Sequence, residues 1–200
     1  MLATFRESLL SDVNVAIPAI VVKYNHTKQL ANVKPLVRTK YKDDKIIQPP
    51  VITDVPVIWP RAGGAYLVLP MDVGDTVLLI FTDKNISTWL NSGGTVDAPD
   101  DRKHSLSDCV AIPGLCSFNQ VKVSTAKDEA ALCYNKSKIV IKQDGSIQAD
   151  APTGMVLNTP LLQVNGQIAD SVGSMAAMRT AYSSDTHNGT ATHSNSLGGP

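Results

Sequence analysis

The stretch Arg102-Lys103-His104-Ser105-Leu106-Ser107-Asp108 brings together the residue types of a serine hydrolase. Such chemistry needs a hydroxyl, a base and an orienting carboxylate that converge in space, and adjacency along the chain does not supply that geometry. No G-x-S-x-G elbow accompanies it, so His104 is expected to serve structure. Paired carboxylates would be a second route to catalysis, with one of them keeping its proton at neutral pH across a sugar-binding cleft. The aspartates here fall in turn-like sequence instead: Asp43-Asp44, Asp72, Asp75 and the run from Asp97 to Asp101. Bonds from turn side chains to nearby backbone N–H groups account for them. Cys109, Cys116 and Cys133 leave one thiol over in any pairing and fit no zinc spacing. They are expected to be buried or inert thiols of a protein made in a reducing cytosol. His26 sits in a turn and is expected to be solvated. No enzyme is expected.

The elements that would hold these residues are β-strands. Ile17-Pro18-Ala19-Ile20-Val21-Val22-Lys23-Tyr24 reads as a strand, His26-Thr27-Lys28-Gln29 as its turn and residues 30–38 as the return, with Pro35 pushing part of it to an edge. Residues 40–45 form a charged loop. Residues 65–69 and 76–81 read as two strands joined by a Pro-Met-Asp-Val-Gly-Asp turn, with Gly63-Gly64 suggesting a bulge before the first. Trp89 and Gly93-Gly94 end the unit. Short strands at this spacing, without a long helical pattern in 13–118, indicate a small all-β barrel or sandwich. Trp59, between Ile58 and Pro60, is expected in the core, and Arg61 with the 59–64 step is expected to serve the barrel rather than a ligand. Residues 1–12 are expected to be an arm with a short amphipathic helix at 5–10. The arm lacks the basic region and apolar core of a secretory signal.

Charge narrows the partners. The 200 residues carry 18 basic and 18 acidic groups, a formal net charge of +0, split 12 and 12 over residues 1–110 and 6 and 6 over 111–200. That removes the footprint of sequence-independent nucleic-acid binding, so no nucleic acid is expected as partner. A hydrophobic fraction of 43% is ample for a core. Beyond Phe118 the texture changes. Lys138-Ile139-Val140-Ile141-Lys142 alternates, Gly145 turns, and Ile147, Ala149 and Ala151 share a face. Val156, Leu162, Val164 and Ile168 come next among Gly and Pro, and residues 143–200 hold only five charges. Strands this short cannot bury a core within one chain, so identical neighbours are expected to provide it.

Four motifs make the chain recognisable. They are Trp59-Pro60-Arg61-Ala62-Gly63-Gly64, residues 70–75, the run from Asp83 through Trp89 to Gly94, and Arg102-Lys103-His104-Ser105-Leu106-Ser107-Asp108 leading into Ala111-Ile112-Pro113-Gly114-Leu115. In order and spacing they resemble the N-terminal domain of the central spike proteins of contractile phage tails, the membrane-piercing, baseplate assembly protein V type. Residues 171–189 resemble the segment before the spike tip. The resemblance implies an all-β chain: an oligosaccharide/oligonucleotide-binding (OB) barrel over 13–118 as a collar, a triple-stranded β-helix needle over 119–184 and a tip over 185–200, assembled as a homotrimer. It implies tail-tube and baseplate-hub proteins as partners, mechanical contact with the host outer membrane, and a place at the tail tip of the virion after assembly in the host cytoplasm. A receptor- or glycan-binding tail fibre is the other reading, weakened because only Tyr134 and Tyr182 are aromatic beyond residue 118.

The same resemblance points to the C-terminal histidines. The family often ends in an H-x-H motif whose imidazoles, at i and i+2 of a strand, face the threefold axis and hold iron in an octahedral cage. Here the stretch reads Asp185-Thr186-His187, an aspartate in place of the first histidine. His187 with Asp185, or with the same-parity His193, would hold iron or another divalent cation on the threefold axis.

Overall fold

Val77, Leu79 and Phe81 alternate with Leu78 and Ile80, a period of two that turns the first three to one side of a strand. The computed structural model describes residues 13–40, 44, 46–120, 126–184, 186–187 and 190–191, and in it all three are buried. The expected helix at 5–10 lies outside the described residues. The N-terminal strands are β1 Ala16–Asn25, β2 Leu30–Pro35, β3 Thr39–Lys40, β4 Ile46–Ile47, β5 Ile52–Pro56, β6 Arg61–Ala62, β7 Ala65–Tyr66, β8 Thr76–Phe81 and β9 Cys109–Pro113. Five of them form an antiparallel sheet in the order β5-β2-β1-β8-β9. Its two edges then meet: Val57 bridges Ala111 in parallel, and the Ile58 N–H donates to the Ala111 carbonyl at 2.9 Å. A bulge between Val21 and Lys23 adds bend to β1. The sheet therefore curls toward the five-stranded, partly open barrel that was expected.

One core fills it. Ala19 and Val21 come from β1, Ala31 and Val33 from β2, Ile52 and Val55 from β5, and Cys109 and Ala111 from β9, closed off by Trp59 and Met71. Trp59 thus lies in the core, as its apolar neighbours imply. Pro35 sits within an inner strand, yet β5 accompanies β2 only as far as Val33↔Ile52, so the missing proline N–H breaks no ladder on that side.

Some expectations change. Residues 65–69 do not form one strand. Gly63 and Gly64, at φ of 55° and 85°, make a two-residue turn rather than a bulge, and only Arg61↔Tyr66 and Ala62↔Ala65 pair across it. An apolar run becomes a strand only as far as a partner strand extends. The charged loop at 40–45 is flanked by a short pairing of Thr39–Lys40 with Ile46–Ile47, where an exposed Lys40–Asp44 ion pair adds little. The segment around Trp89 is a six-residue helix, α1 Ser87–Ser92, ended by Gly93 at φ 66°.

The chain divides into two compact units, Met1–Ser124 and Thr125–Pro200. The second opens with an antiparallel sheet of β10 Glu129–Tyr134, β11 Ser137–Lys142 and β12 Ile147–Asp150. Asn135, at φ 53°, permits the two-residue turn between β10 and β11, and Gly145 at φ 83° turns the chain into β12 as expected. Among described residues 151–173 no strand forms, and only an Ala169↔Ser174 bridge ties that stretch to the residue that caps the next helix. This helix, α2 Met175–Ser184, replaces the β structure expected there. Its Met-Ala-Ala-Met-Arg start consists of strong helix formers, and the Ser174 hydroxyl accepts the Ala177 N–H at 3.1 Å as an N-cap. The short strands β13 Thr186–His187 and β14 Thr190–Ala191 come after it. Among the described residues no helix is long and apolar enough to cross a membrane.

Of the three thiols, one is buried. Cys109 is buried, while Cys116 and Cys133 are exposed. Burial, with the Asp108 charge beside it, pushes the Cys109 thiol from 9.0 up to about 11. A raised folded value means the native state keeps its proton where the unfolded chain loses one. This contribution is therefore fully present below pH 9 and is lost as pH rises from 9 toward 11. With maleimide at neutral pH, peptide mass spectrometry should find Cys116 and Cys133 modified and Cys109 untouched until denaturant is added. Equal labelling of all three would contradict the placement of Cys109.

Candidate functional site

The seven residues that suggested serine chemistry do not assemble it. His104 Nδ1 lies 3.0 Å from the Asn14 carbonyl, and its Nε2 lies 3.5 Å from the Asp83 carboxylate. Asn14 Nδ2 donates in turn to the His104 carbonyl, and the His104 N–H donates to Thr82. Both ring nitrogens are thus occupied by groups other than a serine hydroxyl. Ser105 and Ser107 bond each other at 3.0 Å instead. Asp108 is buried, with Arg102 Nε 3.9 Å from one oxygen, and its carbonyl accepts the Thr82 N–H and hydroxyl. His104 is a clamp that ties the start of β1 to the loop after β8, as expected of a structural residue.

Acid catalysis finds no support either. Asp72 and Asp75 hold their own turn, the Asp75 carboxylate accepting the Asp72 N–H at 2.8 Å. The Ser146 hydroxyl and N–H hold the Asp144 carboxyl below its usual range, and the Gly173 and Val172 N–H groups do the same for Asp170. A glycosidase acid needs the opposite shift.

Of the expected cation ligands, Asp185 and His193 lie outside the described residues. His187 is the last residue of β13, paired with Thr190. Among the described residues no group of three His, Cys, Asp or Glu could hold a metal ion.

A different feature dominates the second unit. Residues directly opposite in a ladder share a face, and the register places Leu132, Ile139 and Ala149 in one row and Ala130, Ile141 and Ile147 in the next. Both rows are wholly apolar and exposed, Ile139 by 47% and Ile147 by 69%. The opposite face carries Glu129, Lys138, Lys142, Gln148 and Asp150, with Lys138 and Asp150 paired at 3.3 Å. Only Val140 of the described residues in this unit is a buried hydrophobic. The alternation of β11 and β12 was legible in the sequence. β10 was missed, although Tyr134-Asn135-Lys136-Ser137 carries the asparagine signal of a hairpin turn.

Trp59 donates its indole N–H to Gln29 Oε1, which also accepts from the Tyr24 hydroxyl at 2.7 Å. Arg61, expected to support the barrel, is exposed instead and forms no ion pair among the described residues.

The described residues thus form a curled, barrel-like sheet in the first unit and a sheet with an uncovered apolar face in the second. Residues 17–114 match the family described as the phage protein Gp138 N-terminal domain. No curated protein matches the chain. The family match supports a phage structural or tail protein of the baseplate and spike type, and with it a component of the virion.

Proposed function

We propose that this chain is the central, membrane-piercing spike of a contractile phage tail, a non-enzymatic homotrimer. The exposed apolar face of β10–β12 carries the reading. A three-stranded sheet with one buried hydrophobic side chain cannot hold itself together. Further along the unit Val156, Leu157, Leu161 and Leu162 are exposed as well. Apolar side chains left uncovered in this way call for a covering partner, and copies of the same chain around a closed symmetry axis would supply it. With 6 groups of each sign over 111–200, no net charge opposes their approach. In this reading 119–184 forms the intertwined needle, and the barrel is the collar held by tail-tube and baseplate-hub proteins. Sheath contraction drives the narrow rod mechanically through the host outer membrane. A cation on the threefold axis, held by His187 with Asp185 or His193, belongs to the same proposal, iron or another divalent ion suiting three imidazoles with three further ligands.

Sedimentation of the full chain decides it. A species of about three times the 21.3 kDa chain mass is expected at micromolar concentration, and a 21.3 kDa species would overturn the spike. Elemental analysis of the same material should find about one cation per three chains, lost on His187→Ala.

A further inference from the structure

The hairpin β6–β7 and the turn before β2 line an open cleft of about 480 Å³ on the barrel. Its lining joins two kinds of group. Trp59 and Gln29 are already satisfied: the indole N–H goes to Gln29 Oε1, and Gln29 Nε2 donates to the His26 carbonyl at 2.6 Å. Arg61 and Tyr66 are unspent. They are cross-strand partners, Tyr66 is 75% exposed, and Arg61 forms no ion pair among the described residues. Between them Gly63 and Gly64 leave open space where side chains would otherwise stand.

We propose that this cleft binds an acidic sugar, the Arg61 guanidinium taking its carboxylate and the Tyr66 ring its apolar face. The volume falls in the range of small-ligand sites. A guanidinium presents two parallel N–H donors that match a carboxylate, and an aromatic ring presents a flat apolar surface at low entropic cost. The rest of the lining is Ala, Gly and Val, which suits the C–H face of a pyranose and offers nothing to pair with base edges. A nucleic-acid strand fits less well. It requires a track of basic groups along its phosphates, and the barrel half carries 12 basic against 12 acidic residues. Neither Arg61 nor Tyr66 belongs to the buried core. All of the cleft's lining comes from the first unit of one chain, and the sedimentation result is read separately, so absence of uronate binding would leave the spike reading intact.

The test is calorimetric titration of the full chain with an oligomer of galacturonic acid, beside a neutral glucose oligomer of equal length and a short thymidine oligonucleotide. Saturable binding of the uronate oligomer is expected, with at least tenfold weaker binding of the glucose oligomer. Arg61→Ala should weaken uronate binding at least tenfold. Arg61→Lys should also weaken it, since the planar fork is lost while the charge stays. Tyr66→Ala should reduce it, and thermal unfolding should be unchanged in all three variants. No uronate binding at millimolar concentration, equal binding by the Arg61→Ala variant, or preference for the oligonucleotide would each overturn the assignment.

Discussion

Trp59→Ala is expected to destabilise the barrel by about 3–5 kcal/mol, the range for deleting a buried aromatic side chain. The ring is 8% exposed and belongs to the core cluster with Val57 and Met71. Its removal also strips one donor from Gln29 Oε1, which would keep the Tyr24 hydroxyl. Trp59→Phe would refill most of the volume and lose only the N–H, so a cost of about 1 kcal/mol is expected. Trp89 is the control. At 51% exposure on α1 it lies outside this core cluster, and Trp89→Ala should shift stability by no more than about 0.5 kcal/mol. Urea unfolding monitored by circular dichroism ranks the three. Equal shifts for Trp59→Ala and Trp89→Ala would remove Trp59 from the core.

The barrel was legible because its signals are local and mutually consistent. Alternation in 76–81 fixes which side faces inward, and the Pro70–Asp75 stretch turns the chain just before β8. Where expectation and structure part, a tertiary partner decides the outcome. Residues 67–69 are as apolar as β8, yet no strand lies beside them, and they remain partly exposed. Arg61 sits in a motif that reads as a step in the barrel, but its position at a hairpin of only two pairs sends it to the surface. In the second unit the alternation of β11 is visible, whereas β10 is hidden by two successive alanines, which carry little strand preference. The helix at 175–184 is masked by the β-rich texture of the sequence before it. Its methionine–alanine content and Ser174 cap are helix signals in their own right.

Ile139→Lys is expected to abolish association while leaving the barrel intact. Ile139 stands in the middle of the apolar face, with Leu132 on one side and Ala149 on the other. In the separate chain the position is 47% exposed, so a lysine there reaches water and costs the sheet little. In the threefold assembly proposed above the same position turns inward, and each substitution is repeated three times. Three ammonium groups would then share one desolvated layer, where burial and like charge both act against them. Losing their protons does not rescue the layer, since neutral amines still lack hydrogen-bond partners there. Gln148→Lys provides the matched control. It adds the same charge one residue from Ala149 but on the opposite, polar face beside Val140 and Asp150. Sedimentation should give the full assembly for the Gln148→Lys variant and the 21.3 kDa chain for the Ile139→Lys variant. Unfolding kinetics add a second readout, because chains that must separate before they unfold do so slowly, and that slow phase should vanish only with Ile139→Lys. If the Ile139→Lys variant kept the assembled mass, the apolar face of β10–β12 could not be the surface that joins the chains.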